Sequence, residues 1–402
     1  MTDVITLFSI LIFLGVLVRL KINIGITILL SGIVLAIFKH IPLIEIARTF
    51  YIVAIAWDTI RLTLIVIIIT YFVELLKEAK FLDRMVKSFS EIFSAKFFVP
   101  IFALIIGTLP LPGGALISAP LVNEGMKQSS ATPEEKTVIN FWFRHVWQPT
   151  SPLYPDMLLA SSILGVSILR IIFVQWPFSV LMIISGLIFL IPKINCINDT
   201  KRKVSKSALY ELILSIMPIF IILSLILIFH ISIILSGIVG IIYVIIVRKL
   251  TPKNLLKAFR WRLLLKLAIL MFSIFYLKHI FIKTSIIDGI YLFLNERSFP
   301  HFFILFSLPF VVSLMTGAAA ATVGVSYPLL LPLLLTPQLN NANLFIAFLG
   351  GWSALMFTPT HLCLSLSMEY FNAVPAKMYP LLLKNIIFLM LGATFWLLAV
   401  FR

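Results

Sequence analysis

The chain has 402 residues, of which 61% are hydrophobic and 12% charged, and its mean hydropathy is +1.12. A soluble domain is roughly 45–50% apolar and about 25% charged, and surface grows too fast relative to volume for a soluble fold to hide this much apolar side chain. The net charge of +16 would suggest nucleic acid in a soluble protein, but here the basic residues fall in short loops between apolar runs, where they set topology, so nucleic-acid binding is excluded and the lipid bilayer is the expected partner.

In chain order, apolar runs predict spans at 4–20, 22–38 and 56–77, a hairpin at 97–124, a broken span at 136–165 and a closing span at 167–191. A basic linker at 193–208 follows. The second half gives spans at 209–229, 232–248 and 261–283, a hairpin at 299–334, a broken span at 342–370 and a last span at 378–401. The expected class is an all-α polytopic membrane protein, with about ten transmembrane helices and two re-entrant hairpins. Asp3 and the lack of a basic leader mark the first span as a retained helix rather than a cleaved signal.

One basic loop holds Lys193, Lys201, Arg202, Lys203 and Lys206. Another holds Arg248, Lys249, Lys253, Lys257, Arg260 and Arg262. The span count puts both on one side, with Lys77, Lys80, Arg84 and Lys87, and puts Lys39, Arg48, Lys283 and Arg297 opposite. The richer side is expected to be cytoplasmic, which predicts an inner-membrane protein with both termini outside.

The chain repeats internally. Leu30-Ser31-Gly32-Ile33-Val34 recurs as Leu235-Ser236-Gly237-Ile238-Val239, 205 residues on. Trp57 answers Trp261, Asp83 answers Asp288 and Gly113 answers Gly317, at offsets of 204 or 205. Trp142 and Pro149-Thr150 answer Trp352 and Pro359-Thr360 at 210, so a short insertion is expected in the second half. Each predicted half, 1–192 and 209–402, has an odd number of crossings. The second half must then start on the opposite face, which makes the two an inverted-topology repeat of the kind secondary transporters use.

Pro110, Pro112, Gly113 and Gly114 interrupt the apolar stretch between Phe97 and Val122. Proline removes a donor and glycine permits positive φ, so two half-helices meeting at a tip are expected there. Such backbone is tolerated at membrane depth only where it is buried in protein or lines a wet cavity. The second tip, Thr316 to Gly324, has no proline. Alone it would read as a tight helix–helix contact, and its pairing with the first tip favours a hairpin. Gln148-Pro149-Thr150-Ser151-Pro152 and Thr358-Pro359-Thr360-His361 break the later spans. Each break is either a proline kink or an unwound segment whose carbonyls and helix ends face an ion.

Arg144 and His145 precede the first break. A central arginine costs about 2.5–3.5 kcal/mol on insertion scales and faces a cavity or a partner. Three readings stand for Arg144: a fork for an anionic substrate, a structural pair with Asp156, or a shallow residue snorkelling to the surface. Asn140, four residues earlier on the same face, either bonds substrate or ties helices together. The polar positions expected around a substrate are Gly113, Gly114, Ser118, Asn140, Arg144, Thr150, Ser151, Gly317, Thr322 and Thr360. His145, Asp156 and His361 are candidates for proton coupling. Asp58 and Arg61 read as an internal pair. Cys196 and Cys363 have no metal-type spacing. No carboxylate cluster, hydrolytic spacing or phosphate loop points to a divalent site, an enzyme or ATP. The expected cofactor is therefore none, beyond Na+ or H+ as a coupling ion. The alternative function is a membrane enzyme or assembly factor, with Arg144 and His145 acting on a lipid-linked substrate.

Gly107-Thr108-Leu109-Pro110-Leu111-Pro112-Gly113-Gly114-Ala115-Leu116-Ile117-Ser118-Ala119-Pro120, with Asn140-Phe141-Trp142-Phe143-Arg144-His145-Val146-Trp147 and Pro152-Leu153-Tyr154-Pro155, resembles a prokaryotic integral-membrane family known as a domain of unknown function. That family is placed in the ion transporter superfamily, with the gluconate permeases and the citrate and dicarboxylate symporters. The resemblance implies scaffold helices around a mobile domain of two hairpins and two broken helices. It also implies elevator-type movement, often as a homodimer, driven by sodium or protons. Dicarboxylate members carry Ser-Asn-Thr at both tips, whereas this chain has Pro-Gly-Gly and Gly-Ala-Ala, so their sodium ligands do not carry over. The function expected is ion-coupled secondary transport, as symport, of a small organic anion, a carboxylate, by elevator-type alternating access, with that small anionic solute as the partner besides lipid.

Overall fold

A computed structural model describes residues 2–93, 95–111, 113–127, 129–194 and 205–401. Pro112, Cys196, Lys201, Arg202 and Lys203 lie outside the described residues. The rest is helical: α1 (Thr2–Arg19), α2 (Ile24–Phe38), α3 (Leu43–Ile55), α4 (Trp57–Glu78), α5 (Phe81–Ile92), α6 (Ala95–Ile106), α7 (Ala115–Gly125), α8 (Pro133–His145), α9 (Pro155–Leu164) and α10 (Ile168–Phe189) in the first half. The second half holds α11 (Lys206–Leu227), α12 (Ile233–Arg248), α13 (Pro252–Ala258), α14 (Trp261–Lys283), α15 (Ile286–Glu296), α16 (His301–Thr316), α17 (Ala319–Leu334), α18 (Asn341–Phe357), α19 (Leu362–Phe371) and α20 (Pro375–Val400). Among the described residues, seven helical segments are long and apolar enough to cross a membrane. Ile5, Phe8 and Ile12 on α1 and Ile387, Leu391 and Phe395 on α20 are exposed. Apolar surface on this scale suits lipid, not water. The chain is a polytopic all-α membrane protein.

The helices of the first half recur in order in the second, and their packing partners exchange. α2 packs on α14 as α12 packs on α4, and α5 packs on α11 as α15 packs on α1. α9 packs on α17 as α19 packs on α7. The stepped offset has a local cause. α17 runs 16 residues where α7 runs 11, so the second hairpin arm is five residues longer and carries the step. The helices fall into two groups. α1 to α5 pack with α11 to α15, and α6 to α10 pack with α16 to α20. Among the contacts joining the groups are those of α9 with α4 and of α17 with α14.

The short helices α3, α5, α13 and α15 are too short for the apolar-run criterion, which seeks about 20 residues. α5 is amphipathic: it buries Phe81, Leu82, Met85 and Phe89 and exposes Asp83 and Arg84, a one-sided spacing typical of a helix lying along a surface. Asp83 and Asp288 each sit in the first turn of their helix, where a carboxylate meets the positive end of the dipole. The second tip is tighter than expected. Gly317 caps α16 in the left-handed region at φ +61 and α17 starts at Ala319. Alanine has the best helix propensity, so Ala319–Ala321 join the helix instead of widening the turn.

Charged side chains pair at the helix ends. Glu211 accepts from Arg248 at 2.8 Å and from Arg84 at 3.4 Å. Glu78 pairs with Lys257 at 2.8 Å, and Glu74 with Lys77 and Arg260. Elsewhere, Lys39 pairs with Asp3 and Lys283 with Glu45. The expected Asp58–Arg61 pair does not form: among the described residues no ion pair joins them, and both line a cavity with Ser161 and Ser162. Asp58 stands in the first turn of α4, where free helix amides already favour a carboxylate.

Candidate functional site

α8 delivers Arg144 and His145. Thr132 and Glu135 close a capping box, with Thr132 Oγ1 accepting from the Glu135 amide and Glu135 Oε2 from the Thr132 amide, and Pro133 opens the first turn. The helix ends at His145, so two basic residues occupy the last turn, where the dipole favours cations. α9 restarts with Pro155, and Asp156 occupies its first turn, the matching place for a carboxylate.

Each break is stitched to the tip in its own half. Arg144 Nη2 donates to Leu111 O at 2.9 Å, Ser151 Oγ to Thr108 O at 3.2 Å and Tyr154 OH to Gly107 O at 2.8 Å. In the second half, Thr358 Oγ1 donates to Leu314 O at 2.7 Å and His361 Nδ1 to Gly317 O at 2.9 Å. Carbonyls at a helix end lack intrahelical donors and must be satisfied from elsewhere, and the breaks supply those donors.

Arg144 is 2% exposed, and its Nε and Nη1 have no hydrogen-bond partner. Both sequence alternatives therefore fail. Burial rules out snorkelling, and the guanidinium makes no bond to Asp156. The Asp156 carboxylate accepts instead from Gln148 Nε2 at 3.4 Å. Arg144 faces a cavity of about 240 Å³ with Gly113, His145, Asp156, Gly317, His361 and Cys363. Thr70 of α4 and Leu267 of α14 complete its wall, so the cavity lies between the two helix groups.

His145 and His361 are not isolated. Their Nε2 atoms stand 3.0 Å apart, although 216 residues separate them in the chain. His145 Nδ1 bonds Phe141 O at 2.6 Å, and the Phe141 ring lies against both imidazoles, with centroids 4.5 and 5.6 Å away. Cys363 is buried beside them. Sequence reading set Cys363 aside because it searched spacing along one segment, and it gave Gln148 and Tyr154 no role.

The remaining expected site residues divide. Gly113 and Gly317 line the cavity and Gly114 lies against Arg144. Asn140 Nδ2 bonds Ala115 O at 3.3 Å and Ser367 Oγ at 2.9 Å, tying α8 to α7 and α19. Ser118 and Thr322 turn back to carbonyls at the starts of their own helices. Thr150 bonds Ser179 Oγ at 3.1 Å, and with Ser151 it lines a separate apolar cavity. Thr360 bonds Thr358 Oγ1 at 2.8 Å, behind Gly317.

No curated protein matches this chain. Among solved structures it is similar to the Alcanivorax borkumensis YdaH transporter, with a TM-score of 0.61, 14% identity and coverage of 89% of this chain and 88% of that one. At that identity the likeness is one of fold. A family model matches residues 1–400, and the chain belongs to the family described as Protein of unknown function (DUF401).

Proposed function

We propose that this protein is an ion-coupled secondary transporter of a small organic anion, a carboxylate, working by elevator-type alternating access. The observation that carries the reading is the Arg144 guanidinium, buried with Nε and Nη1 unpartnered beside a cavity. An unpaired buried charge is strongly destabilising, and a carboxylate matches the guanidinium fork. The volume of about 240 Å³ is below the range of drug-sized pockets, which suits a small solute.

Other features support the movement. The two helix groups are natural candidates for a scaffold and a mobile body, with the cavity between them. The ordered recurrence of helices and exchanged partners support inverted repeats and re-entrant hairpins, the usual basis of alternating access. The fold likeness to a transporter and the expected kinship with ion transporter superfamily symporters point the same way. The coupling ion in this reading is Na+ or H+, with His145, Asp156 and His361 as proton-coupling candidates. The protein sits in the inner membrane with both termini outside, as a homodimer.

The test is a thermal-unfolding screen of detergent-purified protein against carboxylates, with and without sodium and across pH, since a ligand that binds the native state raises apparent stability. A hit is then assayed for uptake in proteoliposomes. Arg144→Ala is expected to abolish uptake while remaining folded. Normal uptake by that variant overturns the assignment.

A further inference from the structure

The geometry points to a metal site that joins the two halves: His145 Nε2, His361 Nε2 and Cys363 Sγ bind a zinc-type cation. One ligand atom from each of the three residues lies within 4.8 Å of those of the other two. The site stands on its own, whatever solute the chain carries, and with the metal bound Asp156 is the proton-coupling candidate that remains.

The imidazole tautomers make the case. His145 Nδ1 meets Phe141 O and His361 Nδ1 meets Gly317 O. A carbonyl only accepts, so each Nδ1 carries the proton. Each neutral ring then presents an Nε2 lone pair, and the two lone pairs face each other at 3.0 Å. Two acceptors at that distance repel unless something electropositive lies between them. Metal-ligating histidines characteristically donate the other ring N–H to a backbone carbonyl or carboxylate, and both do so here. Zn–N bonds of about 2.0–2.1 Å in a tetrahedron place the two nitrogens about 3.3 Å apart, so the pair needs to open by only a few tenths of an ångström.

Cys363 decides between a metal and a shared proton. A thiol is not needed to stabilise a proton between two imidazoles, but thiolate with imidazole is a preferred zinc donor set. Binding would release the thiol proton and leave a thiolate on the metal. Three protein ligands leave a fourth position, and all three line the cavity that holds Arg144. Water or an anion oxygen can complete the coordination there.

The experiment titrates Co2+ into chelator-stripped full-length protein in detergent, in a Cys196→Ser background. The expected result is one cobalt per chain with a thiolate-to-cobalt charge-transfer band, bleached by Zn2+ and unaffected by Mg2+. Cys363→Ser is expected to lose the band, and His145→Gln or His361→Gln to weaken binding by about tenfold or more. Helical circular dichroism checks that each variant folds, and a Zn2+-induced rise in the unfolding temperature of the parent protein gives a readout that needs no variant. No band, or a band that survives Cys363→Ser, overturns the proposal, the first outcome leaving the shared proton. Arg144→Ala should keep the band, so loss of anion binding with an intact band counts against the transport reading alone.

Discussion

The Arg144 guanidinium occupies the space that a side chain at Gly114 would need. A Cβ built on Gly114 would collide with Nη2, Cζ and Nη1 of Arg144. Gly114 itself has φ −60, a conformation open to any residue, so glycine is required there for room and not for backbone freedom. Gly114→Ala is therefore expected to displace Arg144 from Leu111 O. Overpacking of this kind costs about 1–3 kcal/mol. The predicted outcome is a lower unfolding temperature in detergent, together with loss of any carboxylate-induced stabilisation. A variant that unfolds and binds like the parent would show that the guanidinium is free to sit elsewhere.

Gly113 and Gly317 are the opposite case, since both have positive φ, +67 and +61. Alanine at either position incurs a left-handed penalty of about 1–2 kcal/mol. The surroundings then separate them. A Cβ at 113 would press on Leu366 Cδ1, the end of a flexible side chain, whereas one at 317 would meet the Thr360 backbone. Gly317→Ala should destabilise the protein more than Gly113→Ala, and should also disturb the His361–Gly317 bond. Thermal unfolding of the two variants side by side tests the ranking.

The spans were legible because apolar runs of membrane length are a one-dimensional signal, and the predicted span at 261–283 matches α14 residue for residue. The first break was legible from its prolines. The direction of side chains inside it was not. Thr150 and Ser151 follow no helical period once the backbone unwinds, and they point into a different cavity from Arg144. The histidine pair was invisible for another reason. Its two imidazoles come from α8 and from the break before α19, and only the packing of one half on the other brings them together. Arg144 was found because burying a guanidinium is costly enough to stand out in any apolar run.

Acid should weaken one tie between the halves. Glu45 accepts from Lys283 Nζ at 2.6 Å, and this bond, with Arg48 adding less, holds the Glu45 carboxyl below its ordinary range. A depressed folded pKa means that the contribution is fully present above the unfolded value of about 4.3 and is lost as pH falls through the lower folded value. Unfolding temperature measured against pH should therefore drop more steeply on the acid side in the parent than in Glu45→Gln. The difference should shrink in high salt, because the pair is partly exposed and screened. Identical acid limbs would mean that the pair does not persist in solution.

Inversion makes the last prediction, and it depends on neither substrate nor metal. Lys127 follows α7 and Gln338 follows α17, so they occupy equivalent places after the two helix hairpins, and both are exposed. If both hairpins enter from one face, the halves are parallel copies and the alternating-access argument fails. If the halves are inverted, the two positions lie on opposite faces. If the basic loops face the cytoplasm, Lys127 lies on that side with Lys193, Arg248 and Lys257. The bond between Lys193 and Glu135, at 3.0 Å, joins the segment just past Lys127 to the Lys193 loop. Lys127→Cys and Gln338→Cys, each in a background lacking Cys196 and Cys363, should be labelled by an impermeant thiol reagent from the inside and the outside respectively. The comparison uses intact cells against inside-out vesicles. Labelling of both positions from the same side would leave the repeat intact as a packing fact but remove inversion from the mechanism.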